Sequence, residues 1–91
     1  MQLGVIRMAK GVEEKVCIVV INIRRQRLVE NYTQEYPAFK LGISQNAYSK
    51  IELGYTKITV ERLFQIAQIL EVNPVDLLSF GEEKQLHLVT A

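Results

Sequence analysis

The sequence predicts an all-α domain of about five short helices. Three observations carry that reading. Apolar residues recur at the i, i+3, i+4 spacing of a helix face instead of alternating. Residues that cap helix N-termini, Thr33, Ser44, Thr59 and Asn73, each stand just ahead of such a run. Gly42 and Gly54 stand where a helix would stop.

The first 15 residues, with Gly4 and Gly11, show no clean period and read as a loose arm open to disorder. From about Val16 to Asn31 an apolar run passes into IRRQRLVEN, the first helix, although VCIVV alone reads equally well as a strand. Thr33 is the expected N-cap of a second helix, with Glu35 favourable in its first turn and its end at Leu41 and Gly42. Ser44 caps a third helix from Gln45 to about Leu53, stopped by Gly54. Thr59 caps a fourth, in which Val60, Leu63, Phe64, Ala67 and Leu70 form the expected buried face. Asn73 and Pro74 open a short fifth helix carrying Leu77 and Leu78, Pro at the first helical position having no donor to lose. The expected organisation is an arm at 1–15, one domain at 16–80 and a tail at 81–91.

Composition narrows the function. The 91 residues, 48% hydrophobic, suit one compact domain. The net charge is +1, too small to draw the chain to nucleic acid in bulk. Its distribution is uneven: residues 24–62 hold seven Lys or Arg against four Glu, whereas residues 71–91 hold one Lys against four acidic residues. One basic surface facing a polyanion is the implication. Cys17 is the single cysteine, which excludes an intrachain disulfide or a cysteine-based zinc cluster and reads as a small core residue. Val16 to Ile21 is too short an apolar run to cross a bilayer, and Glu13 and Glu14 ahead of it do not suit a signal peptide. The expected location is the cytoplasm.

In the third helix, Ala47, Tyr48 and Ile51 share one face and with Ile43 are expected inside. Gln45, Asn46, Ser49 and Lys50 then point outward together. Such a face can serve solubility alone, but Glu and Lys are more usual there than Gln, Asn and Ser. A side-chain amide also offers the paired donor and acceptor that match adenine in the major groove, and Lys can donate to guanine or a phosphate.

The stretch TQEYPAFKLGISQNAYSKIELG, a short loop, and TVERLFQIAQILEVNPVDLL together resemble the lambda-repressor-like, or XRE-type, helix-turn-helix family. The resemblance runs from about Ile23 to Leu78. It rests on Gln34 opening helix two, Leu41 to Ser44 at the turn, Ile51 and Glu52 ahead of Gly54, and the Val-Asn-Pro that ends helix four. It implies a five-helix DNA-binding domain with its helix-turn-helix at helices two and three. By position, Gln45, Asn46 and Lys50, with Ser49 beside them, would approach base edges. Gln34, Ser44 and the loop residues Tyr55, Thr56 and Lys57 would hold the backbone. Arg27 and Glu52 would form an ion pair linking helix one to helix three.

Three positions depart from that pattern: Pro37, expected to bend or delay helix two; Gln26, where helix one usually has an apolar residue; and Leu53, a hydrophobe beside the DNA face or part of a subunit contact. Catalysis is not expected. His87 is the single histidine, and it has no nucleophile motif, phosphate loop or second ligand to work with. No cofactor or metal is implied. The functional expectation is a sequence-specific transcriptional regulator, a repressor, bound to duplex DNA as a homodimer. The rival is an antitoxin or protein-binding module of the same fold, gripping a toxin or other partner through the segment beyond Phe80.

Overall fold

Residues 2–79 are described by the computed structural model. They form five helices and no strand: α1 (Gln2–Val29), α2 (Glu35–Leu41), α3 (Gln45–Glu52), α4 (Val60–Ile69) and α5 (Pro74–Leu77). The tail at 81–91, with His87, lies outside the described residues.

α1 is longer than the sequence suggested, since it begins at Gln2 and not near Val16. The loose arm at 1–15 is therefore corrected for the residues from Gln2 onward. Glu13, Glu14 and Lys15 all favour helix, no proline interrupts, and Gly4 and Gly11 each weaken a helix by only about 1 kcal/mol relative to Ala. VCIVV is helical, and Cys17, expected in the core, is exposed.

The helix ends share one device. Tyr32 N–H reaches Arg27 O, Ile43 N–H reaches Ala38 O, Tyr55 N–H reaches Lys50 O and Val72 N–H reaches Ala67 O, each at 2.9–3.0 Å. Such closure needs a left-handed residue just before it. Gly42 (φ 72°) and Gly54 (φ 80°) supply it at α2 and α3, Asn31 (φ 62°) and Glu71 (φ 57°) at α1 and α4.

Ser44, Thr59 and Asn73 cap α3, α4 and α5, accepting from Ala47, Arg62 and Val75 N–H at 3.0, 3.0 and 2.9 Å. Thr33 does not cap α2. Gln34 is the N-cap residue, already helical and without a side-chain cap, while the Thr33 carbonyl accepts from Tyr36 N–H. Pro37 falls in the first turn of α2, where its missing donor has no intrahelical partner to lose, and its ring is fully buried.

One core joins all five helices: Ile23 of α1, Ala38 of α2, Tyr48 and Ile51 of α3, Leu63, Ile66, Ala67 and Leu70 around α4, and Leu77 of α5. The buried face of α4 differs from the expected one. Val60 and Phe64 are exposed, and Ile66 takes the inner place. Residues 63, 66, 67 and 70 satisfy the same helical spacing as the expected set, and packing against α2 and α5 selects them. Likewise Leu77 is buried and Leu78 is 41% exposed. Asn22 fastens α5 to α1, its Nδ2 donating to Leu77 O at 3.0 Å and Ser79 O at 2.9 Å.

Candidate nucleic-acid interface

α2, the turn through Gly42, Ile43 and Ser44, and α3 form a compact unit. Gly42 is left-handed and Ser44 extended (φ −71°, ψ 158°), so the chain reverses and starts α3 with the Ser44 side chain on its first amides. Tyr48, Ile51 and Glu52 anchor α3 inward. Gln45, Asn46 and Lys50 are exposed, whereas Ser49, expected alongside them, is half-buried.

The anchor includes a buried charge. Arg27 Nε donates to Glu52 Oε2 at 2.7 Å and its Nη2 to Glu52 Oε1 at 3.0 Å, a two-pronged pair between α1 and α3. Arg27 Nη1 also donates to Tyr32 O at 2.8 Å, and Tyr48 Oη donates to Glu52 Oε2 at 2.6 Å. The Glu52 bond raises the Arg27 pKa more than burial lowers it. Burial pushes the Glu52 carboxyl up, but the hydrogen bonds from Arg27, Tyr48 and Gln34 prevail and hold it below its ordinary value. Burial, with the bond to Glu52, raises the Tyr48 phenol, which stays protonated. Tyr48 entered the sequence reading as a packing residue only. The helical spacing that identified its ring says nothing of its hydroxyl.

From Glu52 the network runs outward to the surface. Gln34 Nε2 donates to Glu52 Oε1 at 3.0 Å, and Gln45 Nε2 donates to Gln34 Oε1 at 2.8 Å. Gln34 is thus committed to orienting Gln45, with one N–H left over. Gln26, the departure on α1, is half-buried and donates to Glu30 Oε2 at 3.1 Å.

A second group flanks α3 from its N-cap onward. Ser44, Asn46, Lys50, Thr56, Lys57 and Arg62 line one open cleft between α3, the following loop and the start of α4. Three cations therefore face one concavity. Arg62 was counted in the basic middle of the sequence but not placed at the site, because α4 had been read only for its apolar face. Its N–H is held by Thr59, and its Nη1 donates to Gln65 Oε1 at 3.1 Å. Tyr55 does not line the cleft and is 76% exposed, and Leu53 is 60% exposed.

The helix-turn-helix family model matches residues 23–77, more than half of the chain. The chain belongs to the lambda-repressor-like helix-turn-helix family. As a lambda-repressor-like domain it is a DNA-binding helix-turn-helix regulator, with DNA as its partner. No curated protein and no solved structure matches it. Among the described residues no helix of this lambda-repressor-like domain is long and apolar enough to cross a membrane.

Proposed function

We propose that the protein is a sequence-specific transcriptional repressor that binds a pseudo-palindromic site as a two-fold dimer and reads bases from the exposed side of α3. Gln45 and Asn46 in its first turn, with Ser49 and Lys50 behind them, are the base readers; Ser44, Tyr55, Thr56, Lys57 and the remaining N–H of Gln34 hold the backbone. The observation that carries this reading is the chain Glu52–Gln34–Gln45. A side chain serving solubility alone has no need of a fixed orientation, yet Gln45 is held by a bond traceable to a buried carboxylate. Its free oxygen and second N–H are the pair that adenine complements. A bound dimer would occlude the promoter it occupies.

The test is a footprint on DNA flanking the protein's own gene. Two protected half-sites about one helical turn apart are expected, with a reporter driven by that DNA repressed when the protein is present. Binding without sequence preference would sink the base-reading proposal.

A further inference from the structure

Tyr48 is wholly buried among the core side chains, yet it carries a hydroxyl that apolar packing does not use. It lies four residues ahead of Glu52 on α3, so the two side chains share one face, and its Oη bonds to Glu52 Oε2 at 2.6 Å. Glu52 is held ionised and can only accept. Tyr48 must therefore donate.

An ionised carboxylate offers about four acceptor positions, two on each oxygen. At Glu52 all of them are taken. Oε2 accepts from Arg27 Nε at 2.7 Å and from Tyr48, and Oε1 accepts from Arg27 Nη2 and from Gln34 Nε2, both at 3.0 Å. Among the described residues no buried side-chain nitrogen or oxygen lacks a hydrogen-bond partner. The fork of Arg27 uses one position on each oxygen and so treats the two alike. What distinguishes them is Tyr48, whose hydroxyl fills the second position of Oε2 and leaves Oε1 for Gln34.

We propose that the Tyr48 hydroxyl is a positioning group for base reading: by occupying Glu52 Oε2 it directs Gln34 to Oε1, and so sets the place from which Gln34 holds Gln45. The proposal rests on the reading of Gln45 as a base reader and adds to it a residue too deeply buried to touch DNA. Arg27 holds the carboxylate; Tyr48 decides which of its oxygens serves the chain that leads to the surface. Without the hydroxyl, Gln34 Nε2 can bond to either oxygen, and Gln45, bonded to Gln34 at 2.8 Å, inherits two placements instead of one. A reader with two placements discriminates less, because a paired contact with adenine needs both amide groups in register with the base edge.

Tyr48→Phe removes the oxygen and keeps the ring, and base preference of the full chain is the readout. Preference is the ratio of affinities for a duplex carrying the footprinted site and for duplexes changed at the base pairs where Gln45→Ala flattens it. An unfolded fraction lowers both affinities alike and cancels, so lost stability alone leaves the ratio unmoved. Tyr48→Phe should lower the ratio about twofold or more, with non-specific binding intact. In a Gln34→Ala background the hydroxyl has nothing to direct, and Tyr48→Phe should lower the ratio no further. Ile66→Val, which trims the buried core on α4, should lower the thermal midpoint and keep the wild-type ratio. Wild-type preference in Tyr48→Phe, an equal loss with and without Gln34, or a Tyr48→Phe chain that does not fold would each overturn the proposal and leave the hydroxyl a part in stability alone. Gln45→Ala separates the two readings. If it flattens preference and Tyr48→Phe does not, the positioning role alone falls; if it leaves preference intact at every base pair, base reading by Gln45 falls and the positioning role with it.

Discussion

Gln45 donates to Gln34 Oε1 at 2.8 Å, and this bond fixes which way the amide of the first residue of α3 can face. The direction is set from below. Glu52, held ionised, can only accept, so Gln34 must offer Nε2 to it and turn its oxygen toward Gln45. Gln45 must then donate, which leaves its oxygen and second N–H for the base contact of the proposed function. Gln45→Ala should therefore lower operator affinity by about 1–3 kcal/mol and flatten preference at one or two positions, with non-specific binding nearly intact. Gln34→Ala should flatten the same positions to a smaller extent. A double-mutant cycle should show coupling of about 0.5 kcal/mol or more. Additive effects would mean that the contact does not survive on DNA.

The ion pair beneath this chain makes a stability prediction. Both partners are buried, with side-chain exposures of 8% and 2% for Arg27 and Glu52. Arg27→Met removes two of the four side-chain hydrogen bonds to a carboxylate that stays buried, and should destabilise the domain by about 3 kcal/mol in denaturant unfolding. A loss under about 1 kcal/mol, the range of exposed pairs, would show that water reaches Glu52.

The same group gives the pH dependence its sign. The folded pKa of Glu52 lies below its ordinary value. The unfolded chain then binds more protons in the acid range, so this stabilisation is present above the ordinary carboxylate range and is lost as pH falls through the depressed value. Urea unfolding from pH 7 downward should show stability declining below about pH 4. Glu52→Gln should be less stable at pH 7 and should decline less steeply in acid. Equal acid slopes would assign the decline to other carboxylates.

How far the sequence revealed these relationships depends on their range. Ser44, Thr59 and Asn73 act within three residues of themselves, and local pattern was enough to find them. Glu52 meets Arg27, 25 residues away, and only the family resemblance suggested it. Gln34 was expected on a phosphate. Its bonds to Glu52 and Gln45 span 18 and 11 residues, and no periodicity reports such contacts. The face of α4 failed for a different reason: two overlapping sets of apolar residues fit one helical period, and neighbouring helices decide between them. The start of α1 at Gln2 was missed because the first 15 residues show no clean period, and glycine lowers helix stability without forbidding it.

Glu71 offers a test away from the interface. It ends α4 at φ 57°, where its Cβ crowds the following carbonyl, and nothing in its sequence context marked it as a helix stop. The left-handed conformation costs a non-glycine residue about 1–2 kcal/mol. Glycine avoids that strain and loses about 0.5–1 kcal/mol through its freer unfolded chain. Glu71→Gly should thus raise stability by about 0.5–1 kcal/mol, measured as the urea midpoint at constant slope. A lower midpoint would show that the Glu71 side chain contributes more than its backbone strain removes.

The cleft beside α3 separates holding DNA from reading it. Lys50, Lys57 and Arg62 share it with Asn46 and Thr56, so one concavity mixes a side-chain amide with cations suited to phosphates. Lys57 is exposed in the loop after Gly54, and in the proposed function it meets the DNA backbone, which is alike in every sequence. Each phosphate it neutralises releases a condensed counterion, and with roughly 4 to 8 such contacts per subunit the affinity should fall steeply as salt rises. Lys57→Ala should weaken specific and non-specific binding alike and reduce the salt slope by about one unit. Arg62→Gln should do the same if its guanidinium leaves Gln65, an exposed bond at 3.1 Å, for a phosphate. Both variants should keep their thermal stability, because neither side chain lies in the core. If Arg62→Gln left the slope unchanged while Lys57→Ala reduced it, Arg62 would belong to α4 alone and the backbone contact would end at the loop.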